Sequence, residues 1–190
     1  MKKIFSEKMK KNPIIAGVKD TENLEAALQS DCEIVFLLCG NIFNLKELAE
    51  KIKSKNKMLF IHIDLIEGFS KDATALRYIA EEIKPDGIIS TKNSQLKAAR
   101  NLGLLTVQRI FIIDSLSIDT AIKASQMINP DAIEIMPGIM PRITKQLSSS
   151  LDVPVIVGGL ISFQDEVNQA TENGALGVST STKELWGVKK

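Results

Sequence analysis

The chain has 190 residues, enough for one well-packed domain and marginal for two. Apolar residues make up 44% and charged residues 25%, which excludes a disordered chain. Lys plus Arg number 24 against 23 Asp plus Glu, so no global charge draws nucleic acid and any RNA site must be a local patch.

The elements follow in chain order. A basic N-terminal segment, residues 1–11, predicts a short helix over Lys2–Lys11 that closes a barrel floor. Its charges stand where a signal peptide needs an apolar core. Apolar runs then recur at Pro13–Val18, Glu33–Cys39, Met58–Asp64, Gly87–Ser90, Leu104–Ile110, Ala132–Met136, Val153–Val157 and Ala175–Ser179. They are rich in Ile, Val and Leu, as strands covered on both faces are. Helical spacing separates them, for example Leu24, Ala27 and Leu28, then Leu45, Leu48, Ala49 and Ile52, then Ala75, Leu76, Ile79 and Ile83. Gly103 reads as a helix C-terminal cap and Asp114 as an N-terminal one. The alternation predicts an α/β fold: a compact single-domain TIM-type (β/α)8 barrel over residues 1–190, its last helix truncated to Thr182–Trp186. That truncation leaves barrel surface for a homo-oligomer partner. No apolar run approaches the roughly 18 residues of a membrane span. Cys32 and Cys39 are too few for a disulfide framework. A cytoplasmic, reduced protein with no metal, cofactor or membrane association is expected.

Alternation points polar side chains into the barrel. In Phe60–Asp64, His62 and Asp64 face inward while Ile61 and Ile63 face the helices. Glu134 points inward by the same logic, and Gln108 is assigned inward with it. Lys19 ends the first strand and Lys92 follows the fourth, so both belong to the mouth. His62 is the one histidine, either a ligand hydrogen-bonding group or a satisfied polar residue of the inner layer. Asp64 either meets ligand hydroxyls or serves structure. Glu134 needs a partner, which Lys19, Lys92 or a ligand would supply.

The segment Val157-Gly158-Gly159-Leu160-Ile161 and the later Val178-Ser179-Thr180 carry the sharpest chemistry. Loops after the seventh and eighth barrel strands commonly bind phosphate. Gly158 and Gly159 leave backbone N–H groups uncovered, and Ser179 and Thr180 add hydroxyls, although the glycines also suit a tight turn alone. Catalytic equipment is thin: no second histidine, and no lysine in the sixth strand. Basic residues cluster at Lys2, Lys3, Lys8, Lys10 and Lys11, at Lys46, Lys51, Lys53, Lys55 and Lys57, and at Lys92, Lys97 and Arg100, with a smaller pair at Arg142 and Lys145. Such runs are either solvated helix faces or nucleic-acid patches.

Taken together, His62-Ile63-Asp64-Leu65-Ile66-Glu67-Gly68, Asp86-Gly87-Ile88-Ile89-Ser90-Thr91, Glu134-Ile135-Met136-Pro137-Gly138 and Gly158-Gly159-Leu160-Ile161 resemble the glycerol uptake operon antiterminator family, GlpP. The resemblance runs from about residue 12 to residue 186. It implies a regulator rather than an enzyme. Members sense glycerol 3-phosphate and bind the leader mRNA of glycerol-utilisation operons, preventing transcription termination. On this chain Gly158, Gly159, Ser179 and Thr180 would hold the phosphate. Asp64, Glu134, Lys92, Lys19 and His62 would meet the glycerol or line the mouth. Lys92, Lys97, Arg100, Arg142 and Lys145 are the candidates for RNA. The alternative is a barrel enzyme of a phosphorylated triose or glycerol, a lyase or prenyltransferase.

Overall fold

The computed structural model describes residues 1–187. Eight parallel strands close into a barrel in sequence order: β1 (Ile14–Val18), β2 (Ile34–Leu37), β3 (Met58–His62), β4 (Gly87–Ser90), β5 (Leu105–Phe111), β6 (Ala132–Met136), β7 (Val155–Gly158) and β8 (Gly177–Thr180). Closure is made by β1 against β8, with Ile14 beside Val178 and Ala16 beside Thr180. Each predicted apolar run overlaps one strand, with β5, β7 and β8 each ending one residue beyond the run. Asp64 is the notable shift, since β3 ends at His62 and leaves the carboxylate in the turn beyond it.

Helices α2 (Leu24–Gln29), α3 (Leu45–Ser54), α4 (Ala73–Tyr78), α5 (Asn93–Asn101), α6 (Ser115–Ile128), α7 (Pro141–Ser150) and α8 (Gln164–Glu172) wrap the outside. Helix α6 starts where predicted: the Asp114 carboxylate accepts from Ser117 N–H at 2.8 Å, meeting a donor the helix itself leaves open. Gly103, at φ +79°, takes the left-handed conformation after α5 that other residues adopt at a cost.

Two apolar layers result. Outside, Val35, Leu37 and Ile61 pack on α2 and α3 residues such as Ala27 and Leu48. Inside, Phe36, Phe60, Leu105, Val107 and Ile156 fill the barrel with Phe5 and Met9. Those last two belong to α1 (Lys2–Lys11), the short N-terminal helix expected to close the barrel floor. The Phe5 and Phe60 rings lie 4.6 Å apart, within the range of favourable tilted aromatic pairs.

After β8 a single turn of 3-10 helix, Lys183–Trp186, replaces an eighth outer helix. Trp186 is fully buried against the layer between β1 and α2. Its indole N–H donates to the Thr180 carbonyl at 2.9 Å, so one large side chain covers what a helix would. Among the described residues no helix is long and apolar enough to cross a membrane.

Candidate functional site: the barrel mouth

The interior changes from apolar to polar toward the strand C-termini. On β5, Leu105 and Val107 point inward, and the period of two therefore turns Arg109 inward as well. Gln108, assigned to the interior from sequence, instead faces the helices and donates from Nε2 to Asn93 Oδ1 at 3.0 Å. Register explains the correction: Gln108 pairs with Ile133, an outer-layer residue, and Arg109 pairs with the inward Glu134.

Arg109 is the residue of the mouth that the sequence pattern did not single out. Its Nε donates to Glu134 Oε2 at 2.7 Å, and both side chains are buried. The partner sought for Glu134 is therefore neither Lys19 nor Lys92. The signal was available: an inward carboxylate on β6 requires a cation on an adjoining strand, and β5 carries one. Glu134 Oε1 remains buried with no partner among the described residues.

His62 stands in the same layer, buried, its Nδ1 also without a partner. Burial, and then the Arg109 charge, push its pKa down to about 4, so the ring is neutral near pH 7. His62 Nδ1 lies 3.9 Å from Asp64 Oδ2, too far for a hydrogen bond. Asp64 is engaged elsewhere. Its Oδ2 accepts from Ser90 Oγ and Thr91 N–H, each at 2.9 Å. Burial works to raise the Asp64 pKa, but these two bonds outweigh it and hold the pKa below the usual value, with Lys92 adding a smaller push. Asp64 thus pins the turn before α5, and Lys92 stands exposed at the head of that helix.

Above the polar layer a cleft of about 290 Å³ is lined by Gly17, Lys19, Arg109, Gly159, Ser179 and Thr182, with several neighbours. It lies between the loops after β7 and β8, where barrels bind phosphate. Gly159 takes φ +77°, and Leu160 follows at φ +62°, a conformation that is uncommon for a branched side chain and concentrates at functional loops. The Gly159 carbonyl is held by Gly138 N–H at 3.0 Å. Ser162 and Phe163 N–H both donate to the Glu166 carboxylate, so these two donors just before α8 are already met.

Two of the four predicted phosphate residues have other duties. Thr180 Oγ1 donates to the Ile161 carbonyl at 2.7 Å and accepts from Thr182 N–H, tying the two loops together instead of offering a free hydroxyl proton. A Cβ on Gly158 would stand 2.6 Å from Glu134 Oε1, so that glycine clears space for a carboxylate. Ser179, facing inward beside Gly17, and Gly159 remain at the cleft itself.

The basic candidates fall on two helices. Lys92, at the N-terminal cap of α5, lies with Lys97 and Arg100 along that helix, while Arg142 and Lys145 lie on α7, with α6 between. Arg100 donates to the Ile128 carbonyl at 2.7 Å and so also fastens α5 to the end of α6. The N-terminal lysines are at the opposite end of the barrel, where Lys8 and Lys11 both pair with Glu33.

The fold and this mouth define a small (β/α)8 barrel with a cation-walled cleft at the loops after β7 and β8. Residues 14–186 match the family model described as glycerol-3-phosphate responsive antiterminator, and the chain belongs to that family. It is 38% identical over 182 residues to the uncharacterized protein YgcP of Escherichia coli strain K12, covering 96% of this chain and 95% of that one. Its backbone superposes on a glycerol uptake operon antiterminator regulatory protein from Listeria monocytogenes with a TM-score of 0.88 at 35% identity, over 92% of this chain and 95% of that one. A glycerol uptake operon antiterminator-related protein from Thermotoga maritima gives 0.81 at 26% identity, over 91% and 96%.

Proposed function

We propose that this chain is an effector-gated, RNA-binding regulator. It binds glycerol 3-phosphate at the barrel mouth, and the liganded form binds the leader mRNA of glycerol-utilisation genes and prevents transcription termination. The observation that carries this reading is a cleft between the β7 and β8 loops, walled by Lys19 and Arg109, in a chain whose family responds to that ligand. The protein works in the cytoplasm as a binder and not as a catalyst, without a cofactor.

In this reading the phosphate sits on the Gly158-Gly159 and Ser179-Thr180 loops. Gly159 and Ser179 offer donors, Lys19 offers charge, and Gly158 and Thr180 hold the frame. The glycerol end points down toward Glu134 Oε1 and His62 Nδ1, which lack partners in the described structure. A ligand hydroxyl donating to either would meet a buried acceptor, so an analogue lacking that hydroxyl is expected to bind more weakly. Asp64 and Lys92 shape the far rim. Lys92, Lys97, Arg100, Arg142 and Lys145 are the cations assigned to RNA phosphates.

Effector and RNA are coupled because ligand draws the two loops together in the state that RNA prefers; equal affinity for both states would shift nothing. A coupling of roughly 1–3 kcal/mol suffices for regulation. The test is a gel shift with the leader RNA of the organism's own glycerol operon. A shift that needs glycerol 3-phosphate, and that free phosphate and glycerol do not reproduce, is expected. No shift in either condition, on RNA shown to fold, overturns the reading and turns attention to turnover of phosphorylated trioses.

A further inference from the structure

Apolar side chains crowd the open end of this barrel. Of the fourteen large apolar side chains exposed among the described residues, nine stand on the strand ends, loops and helix heads around the mouth. They form two arcs. Ile42, Phe43 and Leu65 make the shorter one, in the loops after β2 and β3. The Ile42 N–H joins those loops by donating to the Glu67 carbonyl at 3.0 Å. Phe111, Ile113, Leu116, Ile139, Leu160 and Phe163 make the longer one, from the end of β5 to the head of α8. Backbone bonds unite its loops as well: Ile112 N–H donates to the Met136 carbonyl at 2.8 Å, and Gly138 N–H to that of Gly159 at 3.0 Å. Phe111 shares the inward parity of Arg109, which turns it to the mouth side of β5.

The arcs stand on opposite sides of the mouth. In barrel order the loop after β4, with Thr91 and Lys92, separates them on one side, and Lys19, Asp20 and the end of β8 separate them on the other. Together they expose on the order of 1,000 Å² of apolar side chain, taking roughly 150–250 Å² for each large residue in full. A standard interface buries about 800 Å² per partner, and the largest apolar patch of a typical monomer is about 300–600 Å². This chain has no lid of its own to cover them. Three residues join β5 to α6, four join β6 to α7 and five join β7 to α8.

The chemistry of the arcs selects the partner. Residues 112–114, 137–140 and 159–163 include no lysine or arginine. The longer arc therefore lacks the cations that hold nucleic acid or an anionic lipid surface. It calls for another apolar surface, and a second copy supplies one. A two-fold axis in the plane of the mouth lays the shorter arc of each copy on the longer arc of the other, the self-complementary arrangement of an isologous dimer. We propose that two copies of this chain associate mouth to mouth through these arcs. The cleft between the β7 and β8 loops then lies beneath the partner copy, which serves as its lid. The contact is at the mouth and not beside the truncated last helix, where Trp186 already fills the gap.

The test is sedimentation velocity of the full chain at about 10 µM, because interfaces of this size hold at micromolar concentration or below. It is run with and without glycerol 3-phosphate. Wild type is expected to be a dimer. Phe43→Lys and Ile113→Lys alter side chains that are 94% and 87% exposed, so the fold tolerates both. Each should raise the dissociation constant at least about tenfold. Met127→Lys changes an exposed apolar residue near the C-terminal end of α6, away from the mouth, and should stay dimeric. A dimer that forms only with glycerol 3-phosphate supports the proposal and shows that the effector prefers the associated state. A wild-type monomer in both conditions overturns it. So does a dimer that survives both mouth substitutions, or one that Met127→Lys dissociates. Association without effector is read independently of RNA and ligand binding, so failure of the antiterminator reading and failure of this one are told apart.

Discussion

Glu134 Oε1 lies 2.6 Å from the point that a Cβ on Gly158 would occupy. The barrel therefore accommodates a buried carboxylate on β6 only because β7 carries hydrogen there. Gly158→Ala should displace Glu134 and loosen its 2.7 Å bond with Arg109. Overpacking of this kind costs about 1–3 kcal/mol. Urea unfolding should show that loss, and calorimetry a weaker grip on glycerol 3-phosphate. Wild-type stability in this variant would mean the carboxylate yields freely.

Arg109→Met leaves Glu134 buried and uncompensated, at a cost of about 3–5 kcal/mol. Adding Glu134→Leu removes the stranded charge, and an apolar pair of similar bulk restores most of the stability. The double variant should fold and yet bind no effector. That combination separates what the pair does for ligand from what it does for the barrel. Unfolding of Arg109→Met indistinguishable from wild type would show the pair to be solvated rather than buried.

His62 gives the fold a pH dependence with a definite sign. The native ring titrates near 4 and the unfolded one near 6.5. Above that window both states are neutral; within it only the unfolded chain takes up the proton. Stability should therefore fall as pH drops from 6.5 to 4, by about 3 kcal/mol, and this loss should end below 4. His62 is the one histidine in the chain, so His62→Gln should flatten the slope. A slope that persists in His62→Gln would have to be assigned to other groups.

Gly159 sits at φ +77°, with Met136 Cε 2.7 Å from its would-be Cβ. Gly159→Ala should therefore cost roughly 1 kcal/mol or more in stability. Gly159→Asp adds a negative charge beside the phosphate position. Calorimetry should find effector binding abolished in the Asp variant and only weakened in the Ala one. Unchanged affinity in Gly159→Asp would remove the phosphate from this loop.

Affinity for leader RNA should fall steeply with added salt if lysines meet phosphates. Lys92→Ala and Lys97→Ala should each lower the log–log slope by about 1. A flat dependence would return these residues to the role of solvated helix faces.

Most of the barrel was legible because it is a repetition of simple patterns: buried strands as apolar runs, outer helices as stripes. The inward direction of His62 and Glu134 followed from strand parity. The same rule failed on β5, because Thr106-Val107-Gln108-Arg109 offers polar residues in both parities. Only the pairing with β6 decides between them. Asp64 departed from its strand because the donors of Ser90 and Thr91, far along the chain, draw its carboxylate sideways. The two glycines read alike in sequence, yet Gly158 answers to a neighbouring strand and Gly159 to its own backbone angle. Neither Glu134's approach nor Thr180's bond to Ile161 has a local signature, since each joins segments that only the closed barrel brings together.

The turn that stands in for an eighth outer helix has an optical consequence. Trp186 is the one tryptophan of the chain, and its indole is anchored to the backbone of Thr180, the neighbour of Ser179 in the cleft. The protein thus carries an intrinsic fluorophore wired to the strand end where ligand is proposed to arrive, and its emission can follow that event without a label.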